Sequence, residues 1–455
     1  MTEHSKDSLR AVSLFSNCGA GDVGFAKAGF HFDVMAELDP RRLDVALLNH
    51  PDAVGVPGDL RETLAIAVEE FRQRAGTARP ALLAACPPCQ GLSSAQSARG
   101  DATDPDVGSK DRRNLLVSVV EEAVRLLNPR ALVVENVQAF LTRQVRHPVT
   151  KEPVSAACFL IDSLAEDYVA FPIVADLADF GVPQSRKRSF LTFLRRDEDG
   201  IATLERKGWA PYPFPSHASP TRGHITLEEA LQSYNLPPLD AASADCATSE
   251  VPMHQVPVWP YDRYHMISAI EPNSGLSAWE NDVCLECGRR SRDRTKARCT
   301  GCKAVLPRPV VNGRTAGEEP RLVTGFHSSY RRMDPKKPAA TVTTASGHIG
   351  SDRTIHPWEN RVLSPLECAL LQTFPTSFQW GDSLTRWGHT NVRAMIGEAV
   401  PPLFTAKHGR LLAQLLRGIQ PRVALGADDH RVRAAREALD RSRRTARTIT
   451  ADAGK

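Results

Sequence analysis

Ala11-Val12-Ser13-Leu14-Phe15-Ser16-Asn17-Cys18-Gly19-Ala20-Gly21 (11–21) is the stretch on which the fold turns. Its apolar run, 11–15, reads as a short buried strand that stops at a glycine-rich turn, 17–21. A helical stretch follows, and then FDVMAEL (32–38) reads as a second strand. Glycine in such a turn lets the backbone approach a ligand and presents amides at a helix N-terminus, where a carboxylate or phosphate binds well. Glu37 ends the second strand about 20 residues later, where nucleotide-type sites hold ribose hydroxyls. A tight turn with a capping acid has the same pattern, so this unit alone serves both readings.

Working outward, ALLAAC (81–86), ALVVENV (131–137) and SFLTFL (189–194) read as further buried strands separated by helices. This alternation predicts an α/β fold with a parallel sheet covered on both faces. From about 196 to 360 apolar periodicity fades and Pro, Ser, His and Trp become frequent, which predicts a separate loop-rich module. From 361 the pattern is helical again, through LSPLECALLQTF and MIGEAVPPLFTAKHGRLLAQLL. The expected organisation is a domain from 1–195 completed by 361–426, a second domain at 196–360, and a charged tail at 427–455. The tail's run RVRAAREALDRSRRTAR reads as a solvated helix, a frayed end or a DNA-contacting arm.

A chain of 455 residues suits two domains, and 42% hydrophobic residues support a sizeable core. No apolar run reaches the roughly 18 residues of a membrane span. The start, MTEHSKDSLR, carries charges and no apolar segment, unlike a secretory signal. A cytoplasmic protein is expected, its ten cysteines reduced, metal-bound or catalytic. A net charge of +4 neither demands nor excludes nucleic acid.

Ala85-Cys86-Pro87-Pro88-Cys89-Gln90-Gly91 follows a buried strand, so Cys89 should emerge at the carboxyl edge, where open α/β sheets bind ligands. Two prolines rigidify the approach, and the Gly/Ser/Asp-rich stretch 91–113 reads as a lid. A thiolate is the strongest common side-chain nucleophile. Most lone cysteines are inert core residues, and placement between strand and loop argues against that here. Glu135-Asn136-Val137 ends another strand and should face the same edge, though a capping acid would look alike. Gln184-Ser185-Arg186-Lys187-Arg188, taken alone, reads as a solvated basic loop.

Cys284-x2-Cys287-x11-Cys299-x2-Cys302 forms two knuckles that can offer four thiolates to one tetrahedral ion. Disulfides are disfavoured in the cytosol, and a doubled motif argues against a redox pair. Structural zinc is expected, with no position left open for catalysis. Arg289, Arg290, Arg292, Arg294, Lys296 and Arg298 lie between the knuckles, as a phosphate-contacting surface or as a solvated loop.

In order along the chain come LFSNCGAGDVGF, the acid of AELD, GDL (58–60), PPCQG, ENV, QSRKR, RVLSPLECALLQTFP (361–375) and GEAVPP (397–402). Residues 11–195 and 361–410 thereby closely resemble the prokaryotic DNA cytosine-5 methyltransferases. Asn17 stands where that family has its first glycine after LFS, and Glu398 stands for the usual asparagine of the GNAVPP-like block. The resemblance implies an S-adenosylmethionine-dependent, Rossmann-like methyltransferase domain. A smaller target recognition domain with a zinc-ribbon-like insertion would accompany it. It implies methyl transfer to C5 of a cytosine flipped out of a specific duplex DNA sequence, with Cys89 bonded covalently to C6. Glu135 would bond N3 and N4. Arg186 and Arg188 would orient base and phosphate, bond O2 and lower the thiol pKa. For the cofactor, Phe15 would pack on adenine, Glu37 hold the ribose and Asp59 bond the adenine amino group. The amides around Gly19 would lie near the methionine part, and Pro88, Glu398 and Val400 would complete the pocket. TVTTASGHIG (341–350) resembles the family's threonine-rich segment. A monomer acting on duplex DNA in bacterial restriction–modification or phage defence is expected. A tRNA methyltransferase of the same type shares the PPCQ and ENV logic, but the long cysteine-bearing insertion favours DNA. A catalytically inactive DNA-binding homologue has no support while Cys89, Glu135, Arg186 and Arg188 are all present. A dinucleotide oxidoreductase offers these motifs no use.

Overall fold

Side-chain alternation along the strands sets the two faces of the central sheet. The computed structural model describes residues 9–88, 103–311, 319–324, 328–351 and 353–453. Its strands are β1 (Leu9–Leu14), β2 (Phe30–Glu37), β3 (Val54–Pro57), β4 (Leu82–Ala85), β5 (Ala131–Asn136), β6 (Tyr168–Asp176) and β7 (Lys187–Arg195). They pair in the order β3-β2-β1-β4-β5-β7-β6. The first five run parallel. Against the expectation of a wholly parallel sheet, β7 is antiparallel to both β5 and β6, so the sheet is mixed. The physical reason is length: the link 177–186 is shorter than the roughly dozen residues that a parallel crossover needs.

Val12, Leu14, Leu83, Ala85, Leu132 and Val134 point to one face. There they pack on α3 (Leu60–Ala75), α4 (Val117–Leu127) and α5 (Ala156–Ser163). Leu9, Ala11, Leu82, Ala84, Ala131 and Val133 point to the other, against α1 (Ala20–Lys27) and α2 (Pro40–Asn49). That second face also buries α6 (Asp199–Lys207), through Ile201 and Leu204, although the sequence changes character at 196. The return from the C-terminal third runs through α7 (Pro365–Leu371), α8 (Ser383–Glu398) and α9 (Pro402–Leu416). Gly24 of α1 is required where α9 crosses it, because a Cβ there would stand 1.9 Å from Thr405 Oγ1 and 2.3 Å from the Pro402 carbonyl oxygen. The return is thus packed against the first helix of the chain.

A separate apolar cluster holds the middle of the chain together through Val256, Trp259, Ile267, Ile355 and Val362. Buried arginines supplement this small core. Arg332 donates to the carbonyls of Ile270 (3.1 Å), His356 (3.0 Å) and Glu359 (2.6 Å). Arg361 pairs with buried Glu367, Nη1 to Oε2 at 2.6 Å. The charged C-terminal stretch is a helix, α10 (His430–Ala453), and it is docked rather than solvated throughout. Ala435, Ala438 and Leu439, at helical spacing, enter the first core, and Ser442 Oγ accepts from Gln144 Nε2 at 2.9 Å. No helix among the described residues is long and apolar enough to cross a membrane.

Candidate active site

The carboxyl ends of β1, β2, β4 and β5 carry the chemistry-bearing residues to one edge, as open α/β sheets do. Past Leu14 the backbone turns sharply: Phe15 and Asn17 have φ of 57° and 50°, and Gly19, which caps α1, has φ of 74°. Left-handed backbone at a phenylalanine is uncommon and marks strain held by its surroundings. The surroundings here are hydrogen bonds. Ser16 N donates to Ala36 O at 3.0 Å, and Cys86 N donates to Leu14 O at 3.3 Å.

A cleft of about 370 Å³ opens at this edge, with Phe15, Glu37, Asp59, Pro88, Glu135 and Glu398 among its walls. A small pocket shares Phe15, Asn17, Cys86, Glu135 and Glu398 with it and runs inward past Ser13, Asp22 and Val400. Of the expected cofactor residues, all but Gly19 therefore line one or the other. Gly19 instead faces α2, where a Cβ would meet Ala46 Cβ at 3.1 Å; its neighbours Ala20 and Gly21 line the inner pocket.

Glu37 is buried, and its two oxygens accept from Asn17 N (2.8 Å) and Asp39 N (3.1 Å). Burial pushes its pKa up, against the pull of those amides. Asp59 caps α3, accepting from Arg61 N at 3.0 Å and also pairing with the Arg61 guanidinium, which holds its pKa low. Glu398 pairs with Arg42 across the mouth of the cleft, joining α8 to α2.

Glu135, at the end of β5, is buried with its pKa raised by desolvation; Arg188 and then Arg186 act in the opposite sense. Arg188 Nε stands 3.0 Å from Glu135 Oε1, close enough for strong attraction. The next residue does structural work that the sequence reading left unassigned. Asn136 Nδ2 donates to Pro87 O at 2.9 Å, tying the Pro87-Pro88 stretch to β5. Cys89, and the expected lid as far as residue 102, lie outside the described residues. Asp104–Leu115, beyond them, is a capped helix and a 3₁₀ turn.

The two arginines, expected to act together, take different positions. Arg186 is buried and donates to the carbonyls of Val342 (3.2 Å), Gly397 (3.0 Å) and Ala399 (3.0 Å). It holds the threonine-rich segment and the return beside β7, while Arg188 pairs with Glu135. Gln184 supports the same junction, accepting from Val342 N at 2.8 Å. Asp22, Arg42 and Asn136 are the residues of this site that the sequence reading did not single out. Two of them had a signal, Asp22 within LFSNCGAGDVGF and Asn136 between Glu135 and Val137.

Away from this edge, the Sγ atoms of Cys284, Cys287, Cys299 and Cys302 lie within 4.8 Å of one another. Cys284 to Cys302 is 3.5 Å and Cys287 to Cys299 is 3.7 Å. Gly288 has φ of 69°, as the first knuckle turn requires. Buried Arg308 gathers the loop between the knuckles, donating to the carbonyls of Ser291 (2.7 Å), Asp293 (2.6 Å) and Lys296 (2.8 Å).

A family model described as C-5 cytosine-specific DNA methylase matches residues 9–411. The Type II methyltransferase M1.HgaI of Avibacterium volantium is 28% identical over 413 residues, covering 88% of this chain and 96% of that protein. The Type II methyltransferase M.DdeI of Desulfomicrobium norvegicum is 27% identical over 413 residues, covering 87% and 86%. Among solved structures, the Entamoeba histolytica methyltransferase EhMeth superposes with a TM-score of 0.51 at 11% identity, over 90% of this chain and 98% of that one, a likeness of fold.

Proposed function

The chain belongs to the C-5 cytosine-specific DNA methylase family, and we propose from this premise that it methylates C5 of a flipped-out cytosine in a specific duplex DNA sequence, with Cys89 as nucleophile. One observation carries the assignment of roles. A buried carboxyl with a raised pKa, Glu135, forms a wall common to a cofactor-sized cleft and its inner pocket, and an arginine stands 3.0 Å away. The family uses S-adenosylmethionine, which supplies an electrophilic methyl group. The residues at the edge fit it. The cleft lies within the roughly 300–1,000 Å³ of small-molecule sites. Buried Glu37 is held by two backbone amides beside Phe15, and the return lines the cleft through Glu398 and the inner pocket through Glu398 and Val400.

Cytosine C5 is a poor nucleophile until a thiolate adds to C6. In that step the Cys89 sulfur forms a bond to C6, and the electron pair of the C5–C6 double bond moves toward C5 and N3. Glu135, whose pKa burial raises, donates its proton to N3 and accepts from the 4-amino group. Arg188 would bond O2 and, from its place beside Glu135, steady the carboxyl once its proton has left. Arg186 acts as a positioning residue through the three carbonyls it gathers. C5 then takes the methyl group, loses its proton to a base, and the thiol is eliminated. The target ring is covered by stacking within a duplex, so it must be flipped out at a cost of a few kcal/mol.

The four thiols fit a structural zinc ion. Ligands about 2.3 Å from a tetrahedral zinc stand about 3.8 Å apart, against 3.5 and 3.7 Å for the two closest pairs. Such an ion would clamp a segment with little apolar core of its own. The exposed Arg289, Arg290, Arg292, Arg294 and Lys296 then form a basic face for DNA phosphates. Replacing Cys284 with serine should abolish stoichiometric zinc binding by elemental analysis and weaken duplex binding at least about tenfold. Calorimetric affinity for S-adenosylhomocysteine should stay unchanged, and an equal loss of both affinities would contradict two separately held sites.

Methylome sequencing of cells expressing the chain tests the whole reading. The expected result is 5-methylcytosine at one short DNA sequence. Absence of the mark from DNA, with transfer to tRNA in vitro, would overturn the choice of substrate.

A further inference from the structure

α10 (His430–Ala453) lies beyond residue 411, where the family match ends, and the proposed chemistry gives it no task. Its start is fixed by buried Arg431, which donates to Asp179 Oδ2 through Nε (2.8 Å) and Nη2 (2.6 Å). About three helical turns on, it meets buried Gln144, which opens a small hairpin of Gln144–Arg146 paired with Pro153–Ser155. Gln144 Nε2 donates to Ser442 Oγ at 2.9 Å and to the Thr142 carbonyl at 3.1 Å. Among the described residues its Oε1 accepts no hydrogen bond. An unpaired buried acceptor costs free energy, so an apolar side chain of like volume would serve better if only space needed filling. The hairpin carries the Asp104–Leu115 stretch on its other side. Arg146 N donates to Ser109 Oγ at 2.7 Å, and the Arg146 guanidinium grips Asp106 with two bonds of 2.8 Å. Gly108 presses on Gln144 itself: a Cβ there would stand 2.0 Å from the Gln144 carbonyl oxygen. Buried Asn114 donates from Nδ2 to Gly108 O at 2.7 Å. The chain then enters the wall of the cleft with Arg113 and Leu116.

We infer that Gln144 is a positioning residue for the cofactor cleft, with α10 as its support. Ser442 fixes the Gln144 side chain, the Gln144 carbonyl seats Gly108, and Gly108 with Asn114 sets Arg113 and Leu116 against the ligand. The inference rests on the cofactor reading above. Each step is a direct contact, and Gln144, Gly108 and Asn114 are all buried, so a displacement at Ser442 is passed on rather than absorbed. A two-stranded hairpin this short does not hold its own place and takes it from what it packs on. α10 supplies that support at a second point too, where Thr450 Oγ1 donates to Glu152 Oε2 at 2.9 Å. Glu135 and Arg188 are not on this path, so it acts on cofactor binding and leaves the acid and its arginine in place.

Calorimetry with S-adenosylhomocysteine tests this without turnover, because it separates two effects. Loss of folded protein lowers the binding stoichiometry, whereas a displaced wall lowers the affinity of every molecule. The proteins are wild type, Ser442→Ala, Ser442→Thr and Arg443→Ala. Alanine removes the acceptor and threonine keeps a hydroxyl. Arg443→Ala instead removes the ion pair of α10 with Asp162 on α5. Ser442→Ala should weaken S-adenosylhomocysteine about fivefold at unchanged stoichiometry, and the other two variants should stay within about twofold of wild type. Unchanged affinity in Ser442→Ala, with or without a lower stoichiometry, would leave Gln144 an ordinary core residue and overturn the inference. Equal weakening in Arg443→Ala would overturn it as well, since any loosening of α10 would then suffice. So would equal weakening in Ser442→Thr, which keeps the hydroxyl. Failure of the wild type to bind S-adenosylhomocysteine at all would bring down the cofactor reading together with this one.

Discussion

A Cys89→Ser chain should bind S-adenosylhomocysteine and duplex DNA as the wild type does, yet transfer methyl groups at least about 10⁴-fold more slowly, the scale on which removing a nucleophile acts. The serine hydroxyl is a far weaker nucleophile near neutral pH than a thiolate, so C6 is not attacked and C5 never becomes reactive. The decisive assay uses duplex DNA with 5-fluorocytosine at the target. Fluorine leaves no C5 proton to lose, so elimination stops and the thioether persists. Wild type should migrate as a denaturation-resistant protein–DNA adduct and the serine variant should not. An adduct from the variant would move the nucleophile elsewhere, and Cys86, which lines both cavities, would be the first residue to examine.

Glu135→Gln should lower kcat by about 10²-fold or more with little change in cofactor affinity, the range of general acid catalysis. Glutamine keeps the volume and can still hydrogen-bond the ring, but it cannot deliver a proton to N3. The pH profile carries the sharper prediction. The Glu135 pKa is raised, because burial disfavours its charged form more than Arg188 and Arg186 favour it. The protonated acid is therefore populated at pH values where an ordinary glutamate is ionised, and it is lost as pH climbs through the raised value. Single-turnover rates of the wild type should fall on that alkaline limb. The glutamine variant should be slower throughout and should lack that limb. An unaltered alkaline limb in the variant would assign the titration to another group.

Much of this site is legible in the order of residues. The apolar runs at 11–15, 81–86 and 131–137 end where Phe15, Pro88 and Glu135 line the cleft, because a strand's burial pattern is local and its carboxyl end follows from it. The cysteine knuckles are equally local: two residues between thiols oblige both to face one point. Less legible is Arg186, which differs from Arg188 only in what surrounds it. Its donors go to carbonyls at 342, 397 and 399, and no spacing announces which distant carbonyls converge. The C-terminal stretch misleads for a related reason. Its charge dominates its composition, and only its packing against β6 and α5 reveals why Ala435, Ala438 and Leu439 are buried.

By itself, then, the order of residues determined the α/β class, the strands whose ends bear the site, the cysteine cluster and the family's motifs, since each depends on neighbours a few positions apart. Only the tertiary structure decided that β7 runs antiparallel, that α10 docks on the core, that Asn136 holds Pro87, and that Asn17 and Asp22 share a pocket. Those outcomes depend on hydrogen bonds and packing between segments remote along the chain, whose partners exist only once the sheet and the return have come together.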